Sequence, residues 1–227
     1  MVLVIYSGVA MNLDLFADEP PECGTENLTD GAAILRGFAW ADAGMLLAEI
    51  DRVVQLSPFR HMSTPGGYTM SVAMSGCGRF GWASDAQGYR YTPQDPLTGR
   101  PWPTMPACFS ALAGAAASAA GFTGFVPDAC LINRYAVGSK LSLHQDKDEQ
   151  DLTQPIVSVS LGLSAVFLFG GLTRSEPCQR KVLSHGDVVV WGGPARLCYH
   201  AILPLKRGPL PTGMSDDVRF NLTFRKV

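Results

Sequence analysis

Apolar residues recur along this chain at two different periods, and the change falls near the middle. Between Ala41 and about Gln55, Met45, Leu46, Leu47, Ile50, Val53 and Val54 follow helical spacing and predict an amphipathic helix. Met105 to about Ala120 predicts a second, alanine-rich helix, with Pro106 suited to its first turn and Gly121 to its end. Beyond it the pattern changes to short strands. Ala129–Tyr135, Leu141–His144, Pro155–Leu161, Ala165–Phe169, Lys181–Leu183, Val188–Trp191, Arg196–Ile202 and Arg219–Arg225 read as strands. Turn signals separate them at Val137-Gly-Ser, Gly170-Gly171, His185-Gly-Asp187 and Gly192-Gly-Pro194. Short antiparallel strands at regular spacing predict a mainly β fold with flanking helices, a jelly-roll or double-stranded β-helix.

The first half is less regular. Residues 18–30 read as a polar lead-in and Ala33–Phe38 as a short strand. Residues 58–103 follow neither period: Ser63–Met74 predicts a turn and then a strand, after which Trp82, Tyr89 and Tyr91 stand among glycines and prolines. Such aromatics either cover the adjacent core or form a lid that stacks on a flat ligand such as a base. The expected organisation is therefore an extension over 1–10, a helix/strand segment with the lid over 11–104, and a β core over 105–227.

A chain of 227 residues with 47% hydrophobic content suffices for one sizeable domain. A formal net charge of −2 provides no global basic field, so any nucleic-acid binding must use a local patch. The six cysteines never fall in a C-x-x-C or tight zinc spacing and read as reduced thiols in a cytoplasmic protein. The opening MVLVIYSGVA lacks a basic flank and is too short to span a membrane; with Met11 behind it, it reads as an extension. No membrane and no obligate protein partner are expected, and the chain should be a monomer.

Two stretches carry candidate chemistry. In Leu141-Ser-Leu-His144-Gln-Asp146, an imidazole and a carboxylate two residues apart share one face if the strand continues. His200 is placed to complete a two-histidine, one-carboxylate triad, the donor set of non-haem Fe(II) sites. His185 is the rival third ligand, but a Gly-Asp hairpin turn favours an exposed histidine. In the last strand, Arg219, Asn221, Thr223 and Arg225 alternate with Phe220, Leu222 and Phe224. The arginines either face solvent or face inward, where buried guanidinium groups need anions and a dicarboxylate would serve both. Asn133 and Tyr135 share a face on an earlier strand and either line the same pocket or bond along a sheet edge.

Read together, Asn133-Arg-Tyr135, Lys140-Leu-Ser-Leu-His144-Gln-Asp146-Lys-Asp148-Glu149, Pro155–Gly162, Gly186–Gly193 and Arg219–Arg225 resemble the AlkB family of oxidative DNA-dealkylation dioxygenases. Thr64–Met74 and Trp82 extend the match into the lid. The resemblance covers the chain from about Met11 onward and departs most over Lys206–Asp217. It implies a double-stranded β-helix oxygenase core with an N-terminal nucleotide-recognition lid. Carried over, His144, Asp146 and His200 ligate Fe(II), and Arg219 with Asn133 and Tyr135 holds one carboxylate of 2-oxoglutarate. Asn221 and Arg225 contact the co-substrate near the iron, while Trp82, Tyr89, Tyr91, Asp148 and Arg174 contact substrate. The implied reaction consumes O2 and 2-oxoglutarate and releases formaldehyde, succinate and CO2 from N-methylated bases such as 1-methyladenine and 3-methylcytosine. The partner is alkylated single- or double-stranded DNA, with RNA as an alternative, its backbone met by a cluster drawn from Arg79, Arg90, Lys140, Lys147 and Arg174. Competing readings are an oxygenase acting on RNA or protein, a zinc- or nickel-binding barrel without activity, and a reader of modified bases.

Overall fold

The structure, a computed structural model, describes residues 22–227. The expected extension over 1–10 and the start at Met11 lie outside the described residues.

Alternating burial builds one large antiparallel sheet from both halves of the chain. In chain order its strands are β1 (Gly24–Thr29), β2 (Ala32–Arg36), β3 (Arg60–Ser63), β4 (Thr69–Gly78), β7 (Ala129–Ala136), β9 (Ile156–Gly162), β12 (Val188–Trp191) and β14 (Val218–Arg225). Their spatial order is β1-β2-β12-β9-β14-β7-β4-β3. A smaller sheet, β11-β10-β13-β8, is made of β8 (Leu141–His144), β10 (Ala165–Phe169), β11 (Gln179–Leu183) and β13 (His200–Ile202). A separate hairpin joins β5 (Gly81–Asp85) to β6 (Gly88–Thr92).

Successive strand residues point to opposite faces, so the large sheet feeds two cores. Val188 and Val190 join Val157, Val159, Leu222 and Phe224 on the outer face. There they are covered by Leu46 and Ile50 of α1 (Ala43–Leu56) and Phe109 and Ala113 of α2 (Ala107–Ala119). Val189 and Trp191 face inward and pack with Ile34, Met74, Ile156, Phe167, Phe169 and Ile202 between the two sheets. The alanines of α2 suit this arrangement, because Ala113, Ala116 and Ala117 are fully buried and allow close approach to the sheet.

The double-stranded β-helix and both helices stand as expected. Three local expectations change. β1 occupies part of the polar lead-in, because its Glu26 carboxylate is drawn to Arg36 and Lys181 on neighbouring strands. The stretch expected to form a lid contains a paired hairpin, and Trp102 beneath it is buried, with Nε1 donating to the Thr92 carbonyl at 2.9 Å. Gly81 is required there, since a Cβ would stand 2.2 Å from the Trp102 ring. The strand expected from Arg196 begins only at His200, because Gly193–Ala195 form a 3-10 turn around Pro194, which has no N–H to give a ladder.

Candidate active site

A cavity of about 630 Å³ opens between the two sheets and under the β5–β6 hairpin. Strand register places the first functional pair: β13 runs antiparallel to β8 with His200 opposite His144, and their ring centroids are 4.3 Å apart. Asp146 follows two residues later, beyond the end of β8. The shared face expected from strand alternation is therefore supplied by a loop. Its carboxylate lies 3.6 Å from His144 Nε2 and 3.8 Å from His200 Nε2.

Both imidazoles are oriented by backbone. His144 Nδ1 meets the Ser142 carbonyl at 2.9 Å and His200 Nδ1 the Cys198 carbonyl at 3.1 Å. A proton on each Nδ1 satisfies those carbonyls and turns each Nε2 toward Asp146, the arrangement that orients histidine ligands. Burial and the neighbouring His144 push His200 down to about 4, so it stands neutral. Burial alone would raise the Asp146 carboxyl, but the Arg225 guanidinium beside it outweighs this and holds it well below the usual carboxylate range. One ligand atom from each of the three residues falls within 4.8 Å of the others, and among the described residues this is the one such cluster of histidine, cysteine and carboxylate side chains. His185 is no rival: it is half-buried, not exposed, with Nδ1 accepting from the Gly162 N–H at 2.9 Å and the ring edge-on to Trp40.

The polar face of β14 does turn inward. Arg219 is 1% exposed and Arg225 is 6% exposed, and both line the cavity with Asn133, Tyr135, Asn221 and Thr223. Arg225 Nη2 donates to Asp146 Oδ2 at 2.7 Å. Asn133 Nδ2 donates to Asn221 Oδ1 at 3.2 Å, and Asn221 Nδ2 donates to Ser158 Oγ at 2.7 Å. Arg219 has less: Nη2 donates to Ser160 Oγ at 2.9 Å, the Tyr135 ring lies 5.2 Å from its Cζ, and Nε and Nη1 find no acceptor. Arg225 Nη1 is likewise unpartnered. Burial presses the Arg219 guanidinium below its ordinary value, and a buried cation with idle donors is costly unless an anion completes it.

The five residues expected at the substrate also line this cavity. Trp82 and Tyr89 stack with centroids 5.6 Å apart and planes 13° from parallel. Trp82 Nε1 donates to Asp148 Oδ2 at 2.9 Å. The Tyr91 hydroxyl is committed to Glu149 Oε1 at 2.6 Å, so only its ring is free for a ligand. Arg174 donates to the Leu143 carbonyl at 2.8 Å and lies over the Tyr199 ring. Of the other cationic residues expected near a nucleic-acid backbone, Lys140 and Lys147 line the mouth. Arg79 instead lies over Phe80, and Arg90 is forked onto Asp85 within the hairpin.

A model of the 2OG-Fe(II) oxygenase superfamily matches residues 31–225. The chain belongs to this superfamily. It is 60% identical over 215 residues to the alpha-ketoglutarate-dependent dioxygenase AlkB of Escherichia coli, and equally so to that of Salmonella typhimurium; each match covers 95% of this chain and 98% of the relative. A solved structure of OsALKBH1 superimposes with a TM-score of 0.80 at 27% identity, over 90% of this chain and 100% of that one.

As a 2OG-Fe(II) oxygenase the protein uses Fe(II), 2-oxoglutarate and O2, and its cavity fits them. The His-Asp-His cluster offers two imidazoles and one carboxylate, the mixed donor set suited to Fe(II) with positions left open. The idle N–H groups of Arg219 and Arg225 suit a dicarboxylate. Two residues on which this environment depends were not singled out from sequence: Glu149 and Arg196, which form a buried ion pair at 2.9 Å. Glu149 lies three residues after Asp146, yet no periodicity marks it as buried. Arg196 falls in sequence at the start of an expected strand. Trp191, 4.9 Å from His200 between ring centroids, read only as part of an apolar strand.

Proposed function

We propose that this oxygenase reverses N-alkylation of bases of the 1-methyladenine and 3-methylcytosine type in DNA. The observation that carries this reading is the Trp82–Asp148 pair standing in the same cavity as His144, Asp146 and His200. A ring-nitrogen methyl group gives the base a positive charge. Trp82 and Tyr89 offer it aromatic faces, and Asp148 offers a carboxylate that prefers the cation to the normal base. Such a base pairs badly, which lowers the cost of taking it out of a strand and into the cavity. The similarity to AlkB along almost the whole chain supports the same reaction.

In this reading His144, Asp146 and His200 hold the iron, while Arg219, Asn133 and Tyr135 hold the distal carboxylate of 2-oxoglutarate. Asn221 and Arg225 keep its other end beside Asp146. Tyr91 and Arg174 complete the substrate side. With O2, the bound iron and 2-oxoglutarate supply the hydroxylation that releases the methyl group as formaldehyde, with succinate and CO2 as co-products. The protein orients both substrates and keeps competing reactions out. Residues 11–104 carry the N-terminal helix/strand segment and the recognition lid, and 105–227 the oxygenase core; the enzyme acts as a cytoplasmic monomer. No helix among the described residues is long and apolar enough to cross a membrane.

The deciding experiment is turnover with Fe(II), 2-oxoglutarate and O2 on a single-stranded oligonucleotide carrying one 1-methyladenine or 3-methylcytosine, with restored base read by mass. Repair that needs all three reagents is expected. Succinate release without repair would move the substrate to RNA or protein. Neither product, with iron bound, would leave a metal-binding barrel or a reader.

Oligonucleotide affinity should also fall steeply with salt. Lys140, Lys147 and Arg174 lie at the mouth, and each phosphate neutralised on a single strand contributes a log–log slope of about −0.7. Three contacts would give roughly −2. Fluorescence anisotropy across a salt series measures the slope, and a value near zero would remove these residues from backbone binding.

A further inference from the structure

Glu149 is 6% exposed and meets two hydrogen-bond donors and a second guanidinium group. The Tyr91 phenol donates to Oε1 at 2.6 Å, Arg196 Nη2 donates to Oε2 at 2.9 Å, and Arg225 Nε lies 3.2 Å from Oε1. Arg225 reaches onward to Asp146, 2.7 Å away. Arg196 donates in addition to the Asp146 carbonyl at 2.6 Å and the Gln154 carbonyl at 2.9 Å, which pins the loop after β8 near both ends. Two carboxylates, the part-buried Asp146 and the buried Glu149, thus face two buried guanidinium groups, Arg196 and Arg225. The cluster is neutral as a whole, and each carboxylate has a guanidinium partner.

Tyr91 is the one member from the hairpin, on β6. A hydroxyl donating to an ionised carboxylate in a dry setting is a strong and directional bond. It joins the hairpin to a chain of charges whose far end is the Asp146 carboxylate. The second contact between hairpin and loop, Trp82 to Asp148, is more exposed. When the hairpin lifts, the Tyr91 hydroxyl leaves Oε1, and the whole charge of Glu149 falls on the two guanidinium groups. Arg225 is then held more tightly by Glu149 and less by Asp146 and whatever lies beside it.

We infer that Glu149, fixed by Arg196, is a positioning residue that couples docking of the β5–β6 hairpin, through Tyr91, to the placement of Arg225 beside Asp146. This rests on the reading above that 2-oxoglutarate binds next to Arg225. Coupling is reciprocal at equilibrium: co-substrate binding protects the hairpin, and a docked hairpin tightens co-substrate binding.

The test uses the full chain with saturating Mn(II) in place of iron, so that nothing turns over. Amide hydrogen exchange over Gly81–Thr92 is compared with and without 2-oxoglutarate, whose binding is followed separately by calorimetry. In the wild type, 2-oxoglutarate should slow hairpin exchange at least fivefold, the lower end of ordinary coupling factors. In Tyr91→Phe and Glu149→Gln the ratio should approach one. A merely structural role would raise exchange equally in both states and leave the ratio unchanged. Glu149→Gln leaves a buried guanidinium uncompensated and can unfold the loop, so Tyr91→Phe, which removes one oxygen, is the decisive variant. A Tyr91→Phe ratio equal to that of the wild type, or a wild-type ratio of one with 2-oxoglutarate bound, overturns the coupling. Failure of the wild type to bind 2-oxoglutarate at all would instead strike the functional reading, and this inference with it.

Discussion

Asp146→Ala is expected to abolish turnover while the fold survives. Asp146 supplies the only carboxylate of the His144–Asp146–His200 cluster. Without it only the two imidazoles remain, one ligand short of the triad that holds Fe(II). A bound ion of this kind is worth several kcal/mol to a reaction, so turnover should fall by at least about 10³-fold. The fold persists because Asp146 lies in a loop beyond β8 and takes no part in the strand ladder of either sheet. Stability should nonetheless decline, because Arg225 loses one carboxylate. The loss should fall short of the roughly 3–5 kcal/mol typical of a broken buried pair, since Glu149 remains 3.2 Å away. The checks are succinate release, metal content after dialysis and the circular dichroism spectrum. Full turnover in the variant would remove the iron assignment. Loss of the spectrum would show that the side chain acts structurally.

What the chain discloses depends on the reach of each signal. His144 and Asp146 are two residues apart, and the alternation of Arg219, Asn221, Thr223 and Arg225 against Phe220, Leu222 and Phe224 lies within one strand. Local order of this kind is legible at once. Which way the β14 face turned was not, because a solvent-facing arginine strand is equally self-consistent. The choice is made by β7 and β9 on either side, which bring Asn133, Ser158 and Ser160 to the same face. Glu149 and Arg196 stayed hidden for the same cause. Each is an ordinary charged residue in a turn-rich stretch, and their pairing spans 47 positions. The strand expected at Arg196 shows a local rule losing to a local exception, the turn around Pro194. In the lid, Gly and Pro marked turns correctly, but the pairing of Gly81–Asp85 with Gly88–Thr92 was obscured by Trp82, Tyr89 and Tyr91. Their alternation reads equally well as covering or as stacking.

Arg219→Met should move stability and function in opposite directions. Arg219 is 1% exposed, keeps one hydrogen bond to Ser160 at 2.9 Å, and leaves Nε and Nη1 without acceptors. A charge so buried opposes folding of the co-substrate-free protein. Replacing buried ionic groups by apolar side chains of similar volume is often neutral or stabilising by about 1–4 kcal/mol. The variant should therefore melt at or above the wild-type temperature when no co-substrate is present, by roughly 2–4 °C for each kcal/mol gained in a chain of this size. Affinity for 2-oxoglutarate should collapse. Losing one partner of a desolvated, hydrogen-bonded charge pair costs about 2–5 kcal/mol, or roughly 30- to 5000-fold. Ligand binding stabilises by about 2.7 kcal/mol at a hundredfold excess over Kd, so the wild type should gain several degrees with Mn(II) and 2-oxoglutarate. The variant should gain almost none at the same concentration. Differential scanning calorimetry with and without the co-substrate reads both effects in one experiment. If Arg219→Met lowers the melting temperature of the free protein yet preserves the shift on adding 2-oxoglutarate, then Arg219 is a structural residue and the carboxylate is held elsewhere. If both expectations hold, Arg219 is a residue whose cost in the free protein is recovered only when a dicarboxylate is bound.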